Sequence, residues 1–526
     1  MIESIRLKNL RALTDTGFIG LKPITLLVGK NSVGKSTFAR VFPLLRQSIE
    51  ENRKAPLLWW GKYVDFGTFS DAVNRSSPEK DIKFGFRFFV PKDDKSIKAA
   101  QISMPRFRGD VTFDVEITIR QAGEASYVAE VEISLFDQAC LIKIDPGGNV
   151  QRIKCGAVDW VASGDSSVPG DLMVLAKKGE VFPEFQFYRR FRGKESEGSY
   201  YKQIPFLEAK LISAIRDYNH GNTSYAKLSG ISSAIPIGAV EEVLRAIKSI
   251  PGSDTWKRWV SSFTPNHYGF LRIRDWALVA SASAILSYCN NQLRSFSTGV
   301  RYLEPLRATA QRYYRSQELS VDEVDSKGAN IAMLLYSMPT FELDQFNRWI
   351  GEHLGISIAA RKDGGHISLK VRSESDSVET NLADVGFGLS QVLPIATQIW
   401  ASTSIYRTRR VSGGAAPTFF VVEQPELHLH PAFQARIADL FVGAVQRKDA
   451  FFNGSLRIIA ETHSSSLINR LGELVAEGRI DKSQVQVILF DQQAPAVDAV
   501  IRISEFDGDG ILQNWPMGFF SSGVAE

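Results

Sequence analysis

The residues that could do chemistry in this 526-residue chain gather near its two ends. Close to the start, Gly29-Lys30-Asn31-Ser32-Val33-Gly34-Lys35-Ser36-Thr37 fits the pattern G-x-x-x-x-G-K-[ST] in full. Glycines at this spacing let backbone N–H groups wrap a phosphate, and the N-terminus of a following helix adds positive dipole. Lys35 would then sit on the β- and γ-phosphates of a nucleotide, and Ser36 would bind Mg²⁺. The loop follows the apolar run Ile24–Val28 and precedes a helical pattern through Phe38, Phe42 and Leu45, which is the context the pattern needs. Pro43 is expected to kink or shorten that helix. Kinases, GTPases, helicases and transporter-type ATPases all use such a loop, so by itself it does not name a protein class.

Three segments in the last third of the chain carry related chemistry. The first, Thr418-Phe-Phe-Val-Val-Glu423-Gln424-Pro425-Glu426, is an apolar strand ending in a carboxylate. A strand that delivers an acid to Mg²⁺ is the second half of a phosphate-loop site, and Glu423 is the candidate. An edge strand running into a proline turn is the structural alternative. The second, Asp384-Val-Gly386-Phe-Gly388-Leu-Ser390, sets a glycine-flanked serine at a predicted helix start. Ser390 is either a plain N-cap or a group that presents its hydroxyl to a γ-phosphate on a second subunit. The third, Arg457-Ile-Ile-Ala460-Glu461-Thr462-His463-Ser464, is another apolar strand, ending in Thr-His-Ser. His463 is either a satisfied structural residue or within reach of the γ-phosphate or the attacking water.

In this order the four motifs resemble ATP-binding-cassette (ABC) ATPases of the structural-maintenance and overcoming-lysogenization-defect type, where they are Walker A, signature, Walker B and switch histidine. The phrases Arg301-Tyr-Leu-Glu-Pro-Leu-Arg307, VGFGLSQVLPI, EQPELHLHP and ETHS, with the terminal Trp515-Pro-Met-Gly-Phe-Phe520, look like one subfamily of bacterial AAA-type ATPases. That subfamily ends in a short uncharacterised domain closing on Trp-Pro-x-Gly-Phe-Phe. Its relatives often serve as ATPase subunits of anti-phage defence systems. The likeness covers about residues 1–80 and 300–526 and says little about 85–300.

The resemblance implies an α/β fold: an ABC-type phosphate-loop ATPase head with a mixed sheet, plus an inserted β-meander and a helical subdomain. It implies ATP and Mg²⁺ as cofactors, with Ser36 and Glu423 on the metal. It implies a nucleotide-sandwich homodimer or higher oligomer, in which Ser390 faces the partner's nucleotide, and a separate effector protein under its control. Arg11, after the first strand, is expected beside the nucleotide from its position alone. Where the family at large has Asp-Glu-Pro, this chain has Glu423-Gln424-Pro425. Gln424 stands at the general-base position but cannot accept a proton, and losing such a base costs about 10²–10⁴-fold in rate. A glutamine can still orient water, as in small GTPases, and Glu426 could supply the missing base. The expectation is a slow ATPase acting as a switch. The alternatives are a nucleotide-gated scaffold that hardly hydrolyses and a recombination or repair ATPase acting on DNA.

Over the whole chain, 44% hydrophobic and 23% charged residues exclude an intrinsically disordered protein. At about 150 residues per domain the length suggests two to four units. The net charge of +4 neither demands nor forbids a nucleic acid, so any basic footprint must be local. Three cysteines without metal spacing, an N-terminus unlike a secretory signal and no long apolar span indicate a cytoplasmic protein that contacts no membrane. The apolar window Trp276–Leu286 is read as a buried helix.

Four regions are expected: 1–82, the first half of the head; 83–205, an antiparallel β lobe; 206–350, mostly helical; and 351–526, the second half of the head. His428 and His430 are read as shaping a loop rather than holding a metal. Tyr188-Arg-Arg-Phe191-Arg192-Gly-Lys194 and Arg407, Arg409 and Arg410 are solvated loops or possible DNA contacts. Glu505-Phe-Asp507-Gly-Asp509-Gly510 is read as a hairpin turn, which leaves the chain without a nuclease of its own.

Overall fold

The structure, a computed structural model, describes residues 1–92, 106–162, 172–176, 179–192, 199–317, 321–373, 378–403, 418–447, 456–492 and 499–515. The segments Lys194, Arg407 to Arg410 and Pro516 to Phe520 lie outside the described residues.

A six-stranded sheet forms the centre, in the order Val300–Leu303, Thr418–Glu423, Leu456–Glu461, Ile24–Gly29, Val485–Gln492, Ala499–Ser504. The first five strands run parallel and the last is antiparallel. Strands covered on both faces must be apolar throughout, and Ile24–Gly29 is buried at every position. Register brings the chemistry to one edge: Glu461 pairs with Leu27 on one side and with Glu423 on the other. The carboxyl ends of the phosphate-loop strand and of both acid-bearing strands therefore adjoin. In open parallel sheets that edge is where ligands bind.

The strand Val300–Leu303 lies inside a stretch expected to be mostly helical. Four residues are too few to show a period, and the strand's place is set only by pairing with Phe419–Val422. The surrounding segments are helices, among them Phe206–Arg216, Val240–Ser249 and the 31-residue Tyr268–Thr298. The window Trp276–Leu286 lies in that long helix, and among the described residues no helix is long and apolar enough to cross a membrane.

The antiparallel runs form one larger sheet ordered 158–161, 150–155, 138–144, 125–135, 111–122, 82–90, 2–10, 13–15, with 19–20 beside 2–10. The meander thus builds directly onto the first strand of the chain, Leu7 opposite Phe84. Its turns fall where the sequence signals them, with Gly123 and Gly148 at positive φ.

The helix Lys35–Glu50 packs against both the sheet and the long helix, through Phe42, whose ring lies 6.4 Å from Phe419 and 6.0 Å from Phe296. Pro43 sits inside this helix and does not shorten it. Every residue from Val41 to Ser48 is buried, and that packing outweighs the single hydrogen bond the proline forfeits.

Candidate functional site

The turn out of the strand Ile24–Gly29 requires its glycines. Gly29 has φ +154°, and a Cβ there would stand 2.1 Å from the Phe490 carbonyl oxygen. Gly34 has φ +106°, and a Cβ would meet Leu13 Cδ2 at 2.5 Å. Ser32 is also left-handed, at φ +66°. Lys30, Asn31 and Ser32 face solvent, while Val33 and Thr37 are buried beneath them. The Lys35 side chain is only 3% exposed and its Nζ donates to the carbonyls of Gly29 at 2.9 Å and Lys30 at 2.5 Å. Burial holds its pKa below the usual lysine value, with Glu461 pulling the other way.

Glu423 is 2% exposed. Its Oε1 accepts from Arg40 Nε at 2.8 Å and from the Tyr302 hydroxyl at 2.6 Å, and its Oε2 accepts from Arg40 Nη2 at 2.8 Å. Both oxygens are thus engaged by the chain itself. The bond to Glu423 pushes the Arg40 guanidinium above its usual pKa. Sequence reasoning did not pick out Arg40 or Tyr302. Arg40 lies four residues after Ser36 on the phosphate-loop helix, and Tyr302 lies in the Arg301-to-Arg307 phrase, on the edge strand.

Glu461, on the neighbouring strand, is buried to 3% exposure and faces the Ser36 hydroxyl. Its Oε2 has no hydrogen-bond partner. Burial raises its pKa first of all; Ser36 opposes that rise and the nearby Glu423 charge adds to it. The signal was legible, because the rule that selected Glu423, an apolar strand ending in an acid, applies equally to Arg457–Glu461.

Glu426 is also buried, with Oε1 accepting from the backbone N of His463 at 2.6 Å. Burial raises its pKa, while that N–H and Arg307 favour its charged form. Arg307 is 5% exposed, donates to the Glu423 carbonyl at 2.9 Å, and is pushed down to about 10 by burial. In this arrangement Glu426 pins the backbone that presents His463. The His463 ring is exposed, and its pKa is lowered, by partial burial first and then by the Lys35 charge. Gln424 takes a left-handed φ of +44°, and its N–H donates to the Glu461 carbonyl at 2.8 Å. That bond ties the two acid-bearing strands together where the loops leave the sheet.

Ser390 lies within the first turn of the helix Phe387–Thr403 and is 5% exposed, so it is not the N-cap. Arg11 has φ +50° and lays its guanidinium 4.6 Å above the Phe66 ring. Its pKa is lowered by burial and by Arg40, and Ala12 and Leu13 pack onto Gly34, so this turn flanks the phosphate loop. His430 caps the helix Pro431–Val445, its Nδ1 accepting from Ala432 N at 3.3 Å, and His428 sits at φ +64°. Both shape the loop, and no group of three metal-ligating His, Cys, Asp or Glu forms among the described residues. Asp507 closes its own turn, Oδ1 accepting from Asp509 N and Ile511 N at 3.0 and 2.8 Å.

Two family models match parts of the chain. Residues 1–213 match the family described as "AAA ATPase domain". Residues 231–469 match "AAA domain, putative AbiEii toxin, Type IV TA system". No curated protein matches the chain. Among solved structures it is similar to an SMC head bound to the C-winged helix domain of ScpA, at 8% identity and TM-score 0.34, covering 95% of this chain and 97% of that one. It is likewise similar to the SMC head from Pyrococcus furiosus with an extended coiled coil, at 10% identity and TM-score 0.33, covering 95% and 96%. A third is the SMC head domain from Thermotoga maritima, at 9% identity and TM-score 0.30, covering 95% and 98%. Residues 1–213 and 231–469 are thus each similar to an AAA family, and neither match spans half of the chain.

Proposed function

We propose that this protein binds ATP with Mg²⁺ between its two sequence ends, hydrolyses it slowly, and uses the bound state as a switch. The observation that carries the reading is the convergence of Lys35, Ser36, Glu423, Glu461 and His463 on one sheet edge, from segments about 400 residues apart. Glycine backbone and helix N-terminus cradle the phosphates, and Lys35 exchanges its carbonyl partners for phosphate oxygens. The residues present suit Mg²⁺, since a buried carboxylate oxygen without a partner lies beside the Ser36 hydroxyl. When bound, that ion would neutralise charge on the β- and γ-phosphates.

Slowness follows from Gln424, whose amide can orient water but not take its proton. Glu426 holds the His463 backbone N–H through Oε1, which supports a positioning role, while its Oε2 is buried without a partner. His463 is exposed at the end of the strand Leu456–Glu461, with its pKa lowered by partial burial and by the Lys35 charge. In the same reading two copies close over the nucleotides, with the turn before Ser390 meeting the partner's site, and the closed dimer controls a separate effector. A role in anti-phage defence rests on the sequence likeness and on the toxin-system wording of the family matched by residues 231–469.

The test is phosphate release together with solution mass, each measured with and without ATP. Slow release and an ATP-dependent dimer, both lost in Lys35→Ala, support the reading. Absence of ATP-dependent assembly removes the switch, and absence of hydrolysis leaves the nucleotide-gated scaffold favoured by Gln424.

A further inference from the structure

We propose that Glu461, rather than Glu423, is the carboxylate this chain offers to the divalent cation of a bound nucleotide. The inference rests on the ATP reading above and specifies its metal site.

Geometry separates the two acids. Each ends an apolar strand, and the two are register partners on adjacent parallel strands. Glu423 has both oxygens satisfied, by a two-pronged bond to Arg40 and by the Tyr302 hydroxyl. To bind a cation it would have to break a buried ion pair and strand a guanidinium beside a positive ion. Glu461 has no such engagement. One of its oxygens is buried without any partner, although buried polar atoms are nearly always paired. It faces the hydroxyl of Ser36, the residue that the phosphate loop itself assigns to the metal.

The donor set suits Mg²⁺. That ion prefers hard oxygens and is bound by one or two carboxylates with substrate phosphates and water, not by an all-protein cage. Glu461 and Ser36 would supply one carboxylate and one hydroxyl, leaving the other positions to phosphate oxygens and water. Arg40 then has a separate task, keeping Glu423 neutralised so that only one acid beside Ser36 remains available.

The test uses the full chain with ATP and Mn²⁺, a paramagnetic substitute for Mg²⁺, counting bound Mn²⁺ by electron paramagnetic resonance. ATP affinity is measured in parallel with EDTA. Glu461→Gln is expected to weaken Mn²⁺ binding by at least about 10-fold while metal-free ATP affinity changes by less than about threefold. Glu423→Gln is expected to weaken Mn²⁺ binding less than Glu461→Gln does. Glu461→Asp, which keeps the charge but retracts it, is expected to bind Mn²⁺ more weakly than wild type and guards against a folding defect in the Gln form. Wild-type Mn²⁺ affinity in either Glu461 variant, or a larger loss in Glu423→Gln, overturns the assignment. Lost turnover with intact Mn²⁺ binding in Glu461→Gln also overturns it, because the residue would then act on water. A wild-type protein that binds no ATP, with or without metal, overturns the ATP reading itself.

Discussion

Arg40 and Glu423, 383 residues apart, form a two-pronged ion pair with both N–O distances at 2.8 Å. It links the first turns of the phosphate-loop helix to the end of the strand Thr418–Glu423, and so clamps the two halves of the site. Arg40→Met would leave a carboxylate buried at 2% exposure with Tyr302 as its remaining side-chain donor. We expect a loss of about 2–3 kcal/mol, read from urea unfolding of the nucleotide-free protein. Tyr302→Phe removes one neutral donor and should cost about 1 kcal/mol. An Arg40→Met protein as stable as wild type would mean the clamp does not form.

The second prediction concerns Gln424. Restoring a carboxylate by Gln424→Glu should raise the turnover number by about 10²-fold or more, if proton removal limits the wild type. Single-turnover phosphate release measures it. Equal rates in the two proteins would remove the slow-switch account.

Gly29 provides the third. Its Cβ position lies 2.1 Å from the Phe490 carbonyl oxygen, which the parallel ladder fixes in place. Gly29→Ala should therefore push the strands Ile24–Gly29 and Val485–Gln492 apart, costing about 1–3 kcal/mol and abolishing measurable ATP binding. Retained ATP affinity would show that the loop does not depend on this close approach.

A fourth prediction lies away from the site. Asp275 is buried in the long helix, accepting from Gln138 Nε2 and Ala157 N, both at 2.8 Å. Burial raises its pKa above the ordinary 3.8, outweighing those bonds and Arg274. A raised carboxylate pKa means the folded state binds the proton more tightly than the unfolded one. Stability from this group is therefore greatest at low pH and declines as pH climbs from 3.8 through the raised value. Asp275→Asn has no such decline. Flipping Gln138, whose Oε1 lacks a partner, would accept the new amide N–H. The stability of Asp275→Asn relative to wild type should rise over that pH interval and stay level above it. A relative stability that falls instead would contradict the assignment.

Local order made much of this protein legible in the sequence. The phosphate loop, the strands ending in Glu423 and Glu461 and the meander after residue 83 each declare themselves within about ten residues, by spacing, alternation or turn chemistry. What stayed hidden depends on contacts between distant segments. The strand Val300–Leu303 is too short to show a period, and it is a strand only because Thr418–Glu423 pairs with it. Pro43 signalled an interrupted helix, yet packing on the sheet and on the long helix carries it through. Ser390 resembled an N-cap because glycines flank it, but the helix begins three residues earlier. The bonds that occupy both oxygens of Glu423 could not be read at all, since they hinge on where Arg40 and Tyr302 point.

Equilibrium ATP binding to the full chain in Mg²⁺, compared between wild type and Lys35→Ala by titration calorimetry, tests whether the phosphate loop holds a nucleotide. One saturable site per chain is expected in the wild type, with an affinity at least about 10-fold weaker in the variant. A wild type that takes up no ATP, or a Lys35→Ala protein that binds it equally well, would contradict nucleotide binding at this loop.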